Sequence, residues 1–402
     1  MQITVVNAHW NNRGDEAAHR PLWAELQKRY PGCQITVLFK DKNPITWFPD
    51  IPGINYESCQ FKASAWDIWH SVFSEGLIGQ NLKLNMMVRL LKNSDLIVYP
   101  PGGSVINDRF FWSKQLEYLT PFLCARIFHV PMVVCAPSMG PYDSTMPQPT
   151  RKMLLQTPLL FCVREDTSRQ YLETIGIKEN VHVTMDLAFM DDVDSAVAER
   201  QLAGYPELSE FLAAYPRVVG MTISDFKWHV TLGKDAELLE RIETTARQMI
   251  TSLTDRGYGV LLIPQLFGNQ NDYNYLQAFA GEGVHVMSDK PDTYVQQYVI
   301  SKLYAVIGMR YHSNIFAAKM GTPFIAVVYE EKMEGFLELA GLSEYGLTLE
   351  DISFGKLNEK FCTLEKQHDT FRARLQQARP EWRERARRTF DLLPEISGFK
   401  YI

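Results

Sequence analysis

The chain has 402 residues, 46% of them hydrophobic and 22% charged, which is long for one core and suits two globular domains of ordinary size. A net charge of −6 gives the surface no bias toward nucleic acid, so any site for a polyanion has to be local. Six cysteines without a C-x-x-C pair point to free thiols in a reducing compartment, and nine dispersed histidines show no metal-ligand spacing. The apolar runs stop well short of the roughly twenty residues that cross a bilayer, and no charged leader precedes the first strand, so a cytoplasmic protein is expected.

Residues 3–6 read as a β-branched strand, followed by a loop and a helix over 16–29 with Pro21 in its second turn. Gly14 permits a positive φ and Asp15 is an N-cap, whereas the adjacent Asn11 and Asn12 suit hydrogen bonding to a sugar or phosphate. Residues 34–39 form the second strand. The stretch 43–80, rich in Pro, Trp, Phe and Ser, has no clean period and is expected to be an irregular insertion with short helices, an acceptor-side lid carrying Trp47, Trp66 and Trp69. Most of these rings suit core packing, and some suit a sugar face.

Strand 96–99 ends in Gly102-Gly103, where two glycines let a ligand approach the backbone closely. Strand 132–136 closes in another glycine turn. Strand 159–163 leads into Arg164-Glu165-Asp166, and Asp186-Leu-Ala188 completes this half. Arg164 either binds an anion or pairs with Glu165 or Asp186. The acidic, Ala- and Pro-containing stretch 191–216 is the candidate linker. A second alternation of strands and helices starts at residue 218, so both halves are expected to be parallel, doubly wound sheets. Within it, residues 236–255 carry apolar positions at helical spacing, and strand 259–264 runs into a polar loop over 265–272.

The chemistry concentrates after the strand at 304–307. Gly308 makes a tight turn, a helix begins near Tyr311, Gly321 and Pro323 stop it, and the apolar strand 324–328 follows. Such a βαβ unit puts a helix N-terminus at the carboxyl end of a parallel sheet, with Arg310, His312 and Ser313 at its mouth and Glu330 and Lys332 after the next strand. A charged guanidinium fork and an imidazole two residues apart make an anion-handling site; taken alone, Arg310 paired with a carboxylate and a packed His312 would serve as well.

These residues carry a family resemblance. Gly308-Met-Arg310-Tyr-His312, with Ile315, Gly321-Thr-Pro323, Tyr329 and Lys332, resembles the C-terminal signature of the polysaccharide pyruvyltransferases. The Asn11–Ala17 segment, the Gly102-Gly103 pair, the Arg164 loop and the Asp186 element resemble the motifs of the family's first half. The resemblance implies an α/β fold of two Rossmann-like domains facing a central cleft, GT-B-like, with a C-terminal helix crossing back. Expected boundaries are 1–190 for an acceptor-side domain, 191–216 for the linker, 217–363 for a donor-side domain and 364–402 for a basic helix and tail.

The implied reaction moves a pyruvyl group from phosphoenolpyruvate to two hydroxyls of a sugar, giving a cyclic ketal and phosphate, with no cofactor beyond that co-substrate. Arg310, Ser313, Arg164 and Lys332 are the expected donor-binding residues, with His312 and Arg310 catalytic. Asn11, Asn12, Gly14, Asp15, Gly102, Gly103, Asp186 and Glu330 are expected on the acceptor side, where the acceptor is a sugar, a nucleotide sugar or a lipid-linked glycan. The competing assignments are a GT-B nucleotide-sugar glycosyltransferase and a non-catalytic sugar- or anion-binding protein. The arginine-rich tail over 364–393 is expected to be largely helical with a break or kink at Pro380, and to present either a solvated helix face or a peripheral contact at the inner face of a membrane.

Overall fold

The computed structural model describes residues 1–40, 50–103, 106–108, 112–142, 148–227, 229, 231–268 and 271–395. Trp47 lies outside the described residues. The chain divides into two compact units, the first made of Met1–Trp10, Ala18–Met190 and Glu384–Ile402, the second of Asn11–Ala17 and Asp191–Arg383.

In the first unit the strands are β1 (Gln2–Ala8), β2 (Gln34–Phe39), β3 (Ile54–Ser58), β4 (Leu96–Tyr99), β5 (Met132–Cys135), β6 (Leu160–Val163) and β7 (Val181–Val183). They form one parallel sheet in the order β3-β2-β1-β4-β5-β6-β7. The second unit has β8 (Val218–Thr222), β9 (Gly259–Leu262), β10 (Val284–Val286), β11 (Ala305–Gly308), β12 (Phe324–Val328) and β13 (Gly346–Thr348). These are also parallel, in the order β10-β9-β8-β11-β12-β13. Strands β4, β5, β6, β8, β9, β11 and β12 are buried at every position, because helices cover both faces of a parallel sheet; their continuous apolar runs are the sequence form of that burial. The order reverses between β1 and β4 in one sheet and between β8 and β11 in the other. At such reversals the connecting loops diverge and leave a crevice at the carboxyl edge.

Three expected boundaries change. Residues 11–17 group with the second unit, although the strand before them and most of the helix after them belong to the first. The stretch 191–216 is no loose linker: it folds as helices Ser195–Leu202 and Pro206–Ala214, which bury Ala198 and Leu208 within the second unit. Its start signals were present, Asp194 accepting from the amides of Ala196 and Val197 and Pro206 standing at the first helical position. The C-terminal helix His368–Asp391 runs through Pro380, and the interruption falls instead at Gln367, after helix Phe354–Lys366. Its residues up to Arg383 belong to the second unit and those from Glu384 to the first. Arg374 pairs with Glu344, and Arg383 donates to both carboxylate oxygens of Asp192 at 2.5 and 2.7 Å, so part of its basic face is engaged within the protein. The stretch 43–80 holds helix Ala65–Phe73, in line with the short helices expected there, and also strand β3, which was not expected. Among the described residues no helix is long and apolar enough to cross a membrane.

Helix Tyr311–Met320 is buried from Tyr311 to Lys319 despite its polar residues. Lys319, in its last turn, donates to the Asp191 carbonyl and to Gln297 Oε1. Burial pushes its pKa down from 10.5 to about 8, against the opposing pull of Asp191 and Asp192. Between those two values the unfolded chain holds the proton and the folded chain does not, so this group's destabilising contribution, full below pH 8, is relieved as pH rises. Urea midpoints measured at pH 7.5 and at pH 9.5 should therefore shift toward wild type relative to Lys319→Met at the higher pH, by up to about 1–2 kcal/mol. A difference that is flat with pH would contradict a depressed Lys319.

Candidate active site

The second unit's site sits at its switch point. Thr222, the last residue of β8, accepts through Oγ1 from the amides of Met309 and Arg310 at 2.8 and 3.0 Å and lies 3.0 Å from Ser313 Oγ. Ser313 Oγ donates to the Arg310 carbonyl at 2.6 Å, so the Thr222 hydroxyl donates to Ser313 in turn. This network pins the first turn of helix Tyr311–Met320 to the neighbouring strand and directs its positive end to the carboxyl edge. Gly308 is required for closeness: a Cβ there would lie 2.0 Å from Asn314 Oδ1, whose amide nitrogen donates to the Gly308 carbonyl at 3.1 Å. Ser313, expected to touch the donor, is fully buried with its hydroxyl held inside the turn.

Arg310 forms a bidentate pair with Asp272, its Nε donating to Oδ2 at 3.1 Å and its Nη2 to Oδ1. Burial opposes the charge on Arg310, but the Asp272 carboxylate and Tyr329 outweigh it and raise the guanidinium pKa above its ordinary value. Asp272 Oδ2 also accepts from the amides of Gln265 and Leu266 at 3.1 and 3.0 Å. The fork expected to hold a ligand is thus bound to the polar loop after β9, and it fixes that loop's backbone.

The same loop captures residues 11–17. Arg13 N donates to the Gln265 carbonyl at 3.1 Å, Phe267 N donates to the Asn11 carbonyl at 2.8 Å, and Asn12 makes an isolated antiparallel bridge with Leu266. The Arg13 guanidinium reaches Glu16 at 3.0 Å and the Asp289 carbonyl at 2.9 Å and lies 4.2 Å from the Phe267 ring centroid. Asn12 Oδ1 accepts from Gly14 N at 2.8 Å, while Asp15 lies inside the first turn of helix Arg13–Arg29 and is not its cap.

Gly14 is where the two motifs meet. A Cβ at residue 14 would lie 1.8 Å from Cγ and 1.9 Å from Nδ1 of His312, so the imidazole occupies the space of the missing side chain. Arg310, Asp272, the 265–267 backbone, residues 11–14 and His312 therefore close a ring of contacts. His312 is 6% exposed, with Tyr311 edge-on at 4.9 Å between centroids. Lys332 pairs with Glu330 after β12, and its ammonium stands 5.8 Å from the Tyr311 ring centroid, adding a cation beside the same helix end. Asn11, Asn12, Gly14 and Asp15 thus belong with Arg310, His312, Ser313, Glu330 and Lys332 in one unit, instead of in a domain spanning residues 1–190 as expected.

The remaining site residues are in the first unit. Arg164 Nη1 donates to Asp186 at 2.7 Å and its Nε to Ser138 Oγ at 2.8 Å, all buried at the ends of β5, β6 and β7. Asp186 also accepts from Ala188 N at 2.9 Å. The structure therefore joins Arg164 and Asp186 to each other, as one of the alternatives read from the sequence. Gly102 and Gly103 are half-buried in the loop after β4, where the Gly102 carbonyl accepts from Ser138 N at 3.1 Å.

Several residues that organise these sites escaped sequence reasoning. Asp272, Thr222 and Arg13 stand in ordinary turn or strand-end contexts. Arg151, fully buried, pairs with Asp108, approaches Gln115 at 3.4 Å and lies 4.7 Å from the Tyr142 ring centroid. A lone arginine in helix Gln148–Leu155 gives no local sign of that burial. Lys40, after β2, is buried with its ammonium 4.2 Å from the Phe61 ring centroid, and burial lowers its pKa.

Comparisons with known proteins bear on the fold and the family. The solved structures similar to this chain include the S. aureus MnaA–UDP co-structure, with a TM-score of 0.58 at 13% identity, covering 99% of this chain and 100% of that one. The UDP-GlcNAc 2-epimerase from Neisseria meningitidis bound to UDP-GlcNAc has a TM-score of 0.56 at 14% identity over 93% of this chain and 94% of its own. At these identities they show the fold alone, which is GT-B-like. In sequence, the chain is 22% identical over 291 residues to the amylovoran biosynthesis protein AmsJ of Erwinia amylovora; the match takes in 67% of this chain and 65% of AmsJ, just under two thirds of that relative's length. The family model described as polysaccharide pyruvyl transferase matches residues 12–331, a span that starts at the Asn12 bridge and ends beyond the Arg310–His312 turn. With both packed motifs inside that match, the chain belongs to the polysaccharide pyruvyl transferase family.

Proposed function

We propose that the protein transfers a pyruvyl group from phosphoenolpyruvate to two hydroxyls of a sugar in a polysaccharide or glycan precursor, forming a ketal and releasing phosphate. The observation that carries this is the packing of His312 against Gly14 at a helix N-terminus, with Lys332 beside it and the Arg310–Asp272 pair bracing the loop behind it. Phosphoenolpyruvate presents a carboxylate and a phosphate on one small frame, and a cation together with a positive helix end suits such a dianion. Lys332 and the first turn of helix Tyr311–Met320 are its donor contacts in this unit. Arg310 acts chiefly by holding the loop, and Arg164 remains a donor-binding candidate in the first unit.

The chemistry needs one proton at the methylene carbon while positive charge builds at the central carbon. A sugar hydroxyl then bonds to that carbon and loses its proton. Loss of phosphate with the C–O bond pair, followed by addition of the second hydroxyl, closes the ketal. A rigidly held imidazole suits the proton delivery, because its two ring nitrogens let it both donate and accept a proton. Glu330 and Asp186 are the carboxylates proposed to assist on the acceptor side, along with Gly102 and Gly103.

The test is release of inorganic phosphate from phosphoenolpyruvate across a panel of pyranosides, nucleotide sugars and lipid-linked glycans, with UDP-sugars run in parallel as donors. Acceptor-dependent phosphate release with a pyruvate ketal in the product is the expected result. Transfer from a UDP-sugar without consumption of phosphoenolpyruvate would assign the protein to glycosyl transfer.

A further inference from the structure

Most large apolar side chains that the first unit exposes fall in one short stretch. Trp66, Phe73, Leu77 and Leu82 are 76%, 68%, 75% and 78% exposed, and Trp69 and Ile78 are exposed as well. Elsewhere among the described residues, the exposed large hydrophobics are Met153, Leu159 and Val197, all outside this stretch and each less than half exposed. On helix Ala65–Phe73 the spacing of Trp66, Trp69 and Phe73 forms one stripe, with Ile68 and Val72 buried on the opposite side. Trp69 and Phe73 stack at 5.1 Å between centroids. A helix at a protein surface ordinarily turns charge to water on that face.

This exposure belongs to a braced element. Ser64 and Asp67 form a capping box at the start of the helix. Ser71 Oγ donates to Asn85 Oδ1 at 2.6 Å, Asn85 Nδ2 to the Gly79 carbonyl at 3.0 Å, and Asn81 Nδ2 to the Lys62 carbonyl at 3.0 Å. Gly76 passes so close to the next helix that a Cβ would lie 2.4 Å from the Asn85 carbonyl oxygen. The helix, the turn and helix Leu82–Lys92 are thereby locked together with the apolar side chains standing outward.

We infer that residues 66–82 dock on an anionic lipid surface. Side chains near three-quarters exposure protrude from the protein; a lipid interface yields around protruding groups, whereas a protein partner has to supply a matching pocket for each. Indole and phenyl rings also prefer the headgroup boundary, and the aliphatic tip of Leu77, Ile78 and Leu82 reaches beyond it. Charge selects the lipid. Glu75 pairs with Lys92, which leaves the exposed Lys62 and Lys83 at the two ends of the stretch against the exposed Asp67 carboxylate between them. The balance is positive, and both cations stand at the rim of the apolar stripe, where lipid headgroups would lie. Phe61, which packs beneath Lys40 at the end of β2, leads directly into this element, so the lipid contact begins beside the carboxyl edge of the first unit's sheet. A sugar acceptor carried on a lipid would meet the protein there.

Vesicle sedimentation of the full chain, without donor or acceptor, tests this independently of the proposed reaction. Vesicles of phosphatidylcholine with phosphatidylglycerol should bind the protein and shift its tryptophan emission to the blue, and pure phosphatidylcholine should bind it less. Trp66→Ser with Trp69→Ser and Phe73→Ser should weaken binding by about tenfold or more at an unchanged thermal midpoint. If that midpoint falls, Trp66→Ser alone, at the most exposed indole, should still weaken binding. Lys62→Glu with Lys83→Glu should remove the preference for the anionic lipid. Absence of binding to either vesicle, or undiminished binding by both Trp66 variants, overturns the inference. So does a dimer seen by light scattering that the triple substitution dissolves while vesicles bind neither protein, which would make the occupant a second copy.

Discussion

Replacing His312 with alanine is expected to lower turnover by about two to four orders of magnitude while leaving phosphoenolpyruvate affinity within about tenfold. The asymmetry follows from what each group supplies. In the proposed reaction Lys332 and the helix end hold charge and remain in the variant, whereas the imidazole is the proposed proton carrier and is lost. Single-turnover phosphate release reports the first quantity and isothermal titration with phosphoenolpyruvate the second. Near-normal turnover would remove His312 from the chemistry. A collapse of affinity with turnover preserved at saturation would instead make it part of the donor clamp.

The second large effect is expected from Gly14→Ala, in a residue remote from His312 in the chain. The added methyl needs the position held by His312 Cγ and Nδ1, which lie 1.8 and 1.9 Å from it. Either the ring moves or the Asn11–Ala17 segment lifts from the 265–267 loop. A displacement on the order of 1 Å at a reacting group costs about a hundredfold in rate, so a loss of that size or more is predicted for turnover. General destabilisation would look similar in a single variant, but a double-mutant cycle separates the two causes. In a His312→Ala background, Gly14→Ala should cost little further activity, because the ring it displaces is gone. Additive losses would show that Gly14 acts through the fold at large, with no specific hold on the imidazole.

Much of the local architecture was readable from residues alone. Helix Ala236–Asp255, helix Tyr311–Met320 and strand Phe324–Val328 announce themselves by period, by Gly321 and by an unbroken apolar run. The proximity of Arg310 and His312 to a helix N-terminus follows from the same glycine punctuation. Short helices did not announce themselves so well: Ser195–Leu202 and Pro206–Ala214 carry proper start signals, but each offers too few apolar positions to establish a period. Pro380 misled in the other direction, since helix His368–Asp391 continues through it.

The sequence by itself determined that this is an α/β chain with two alternating halves, and that a basic and an imidazole side chain stand at the mouth of a helix after a glycine turn. Those features are set by neighbours within a few residues, where capping, φ restrictions and side-chain periodicity act. Only the tertiary structure decided what each group does. Asp272 chelates Arg310 across 38 residues of chain, and the Asn11–Ala17 segment leaves the unit of its own flanking strand to seat Gly14 against His312. An asparagine cap and a glycine look the same whichever sheet they pack on. The choice is made by long-range contacts, a buried carboxylate meeting a guanidinium and a missing Cβ meeting a ring, for which local residue spacing has no signature.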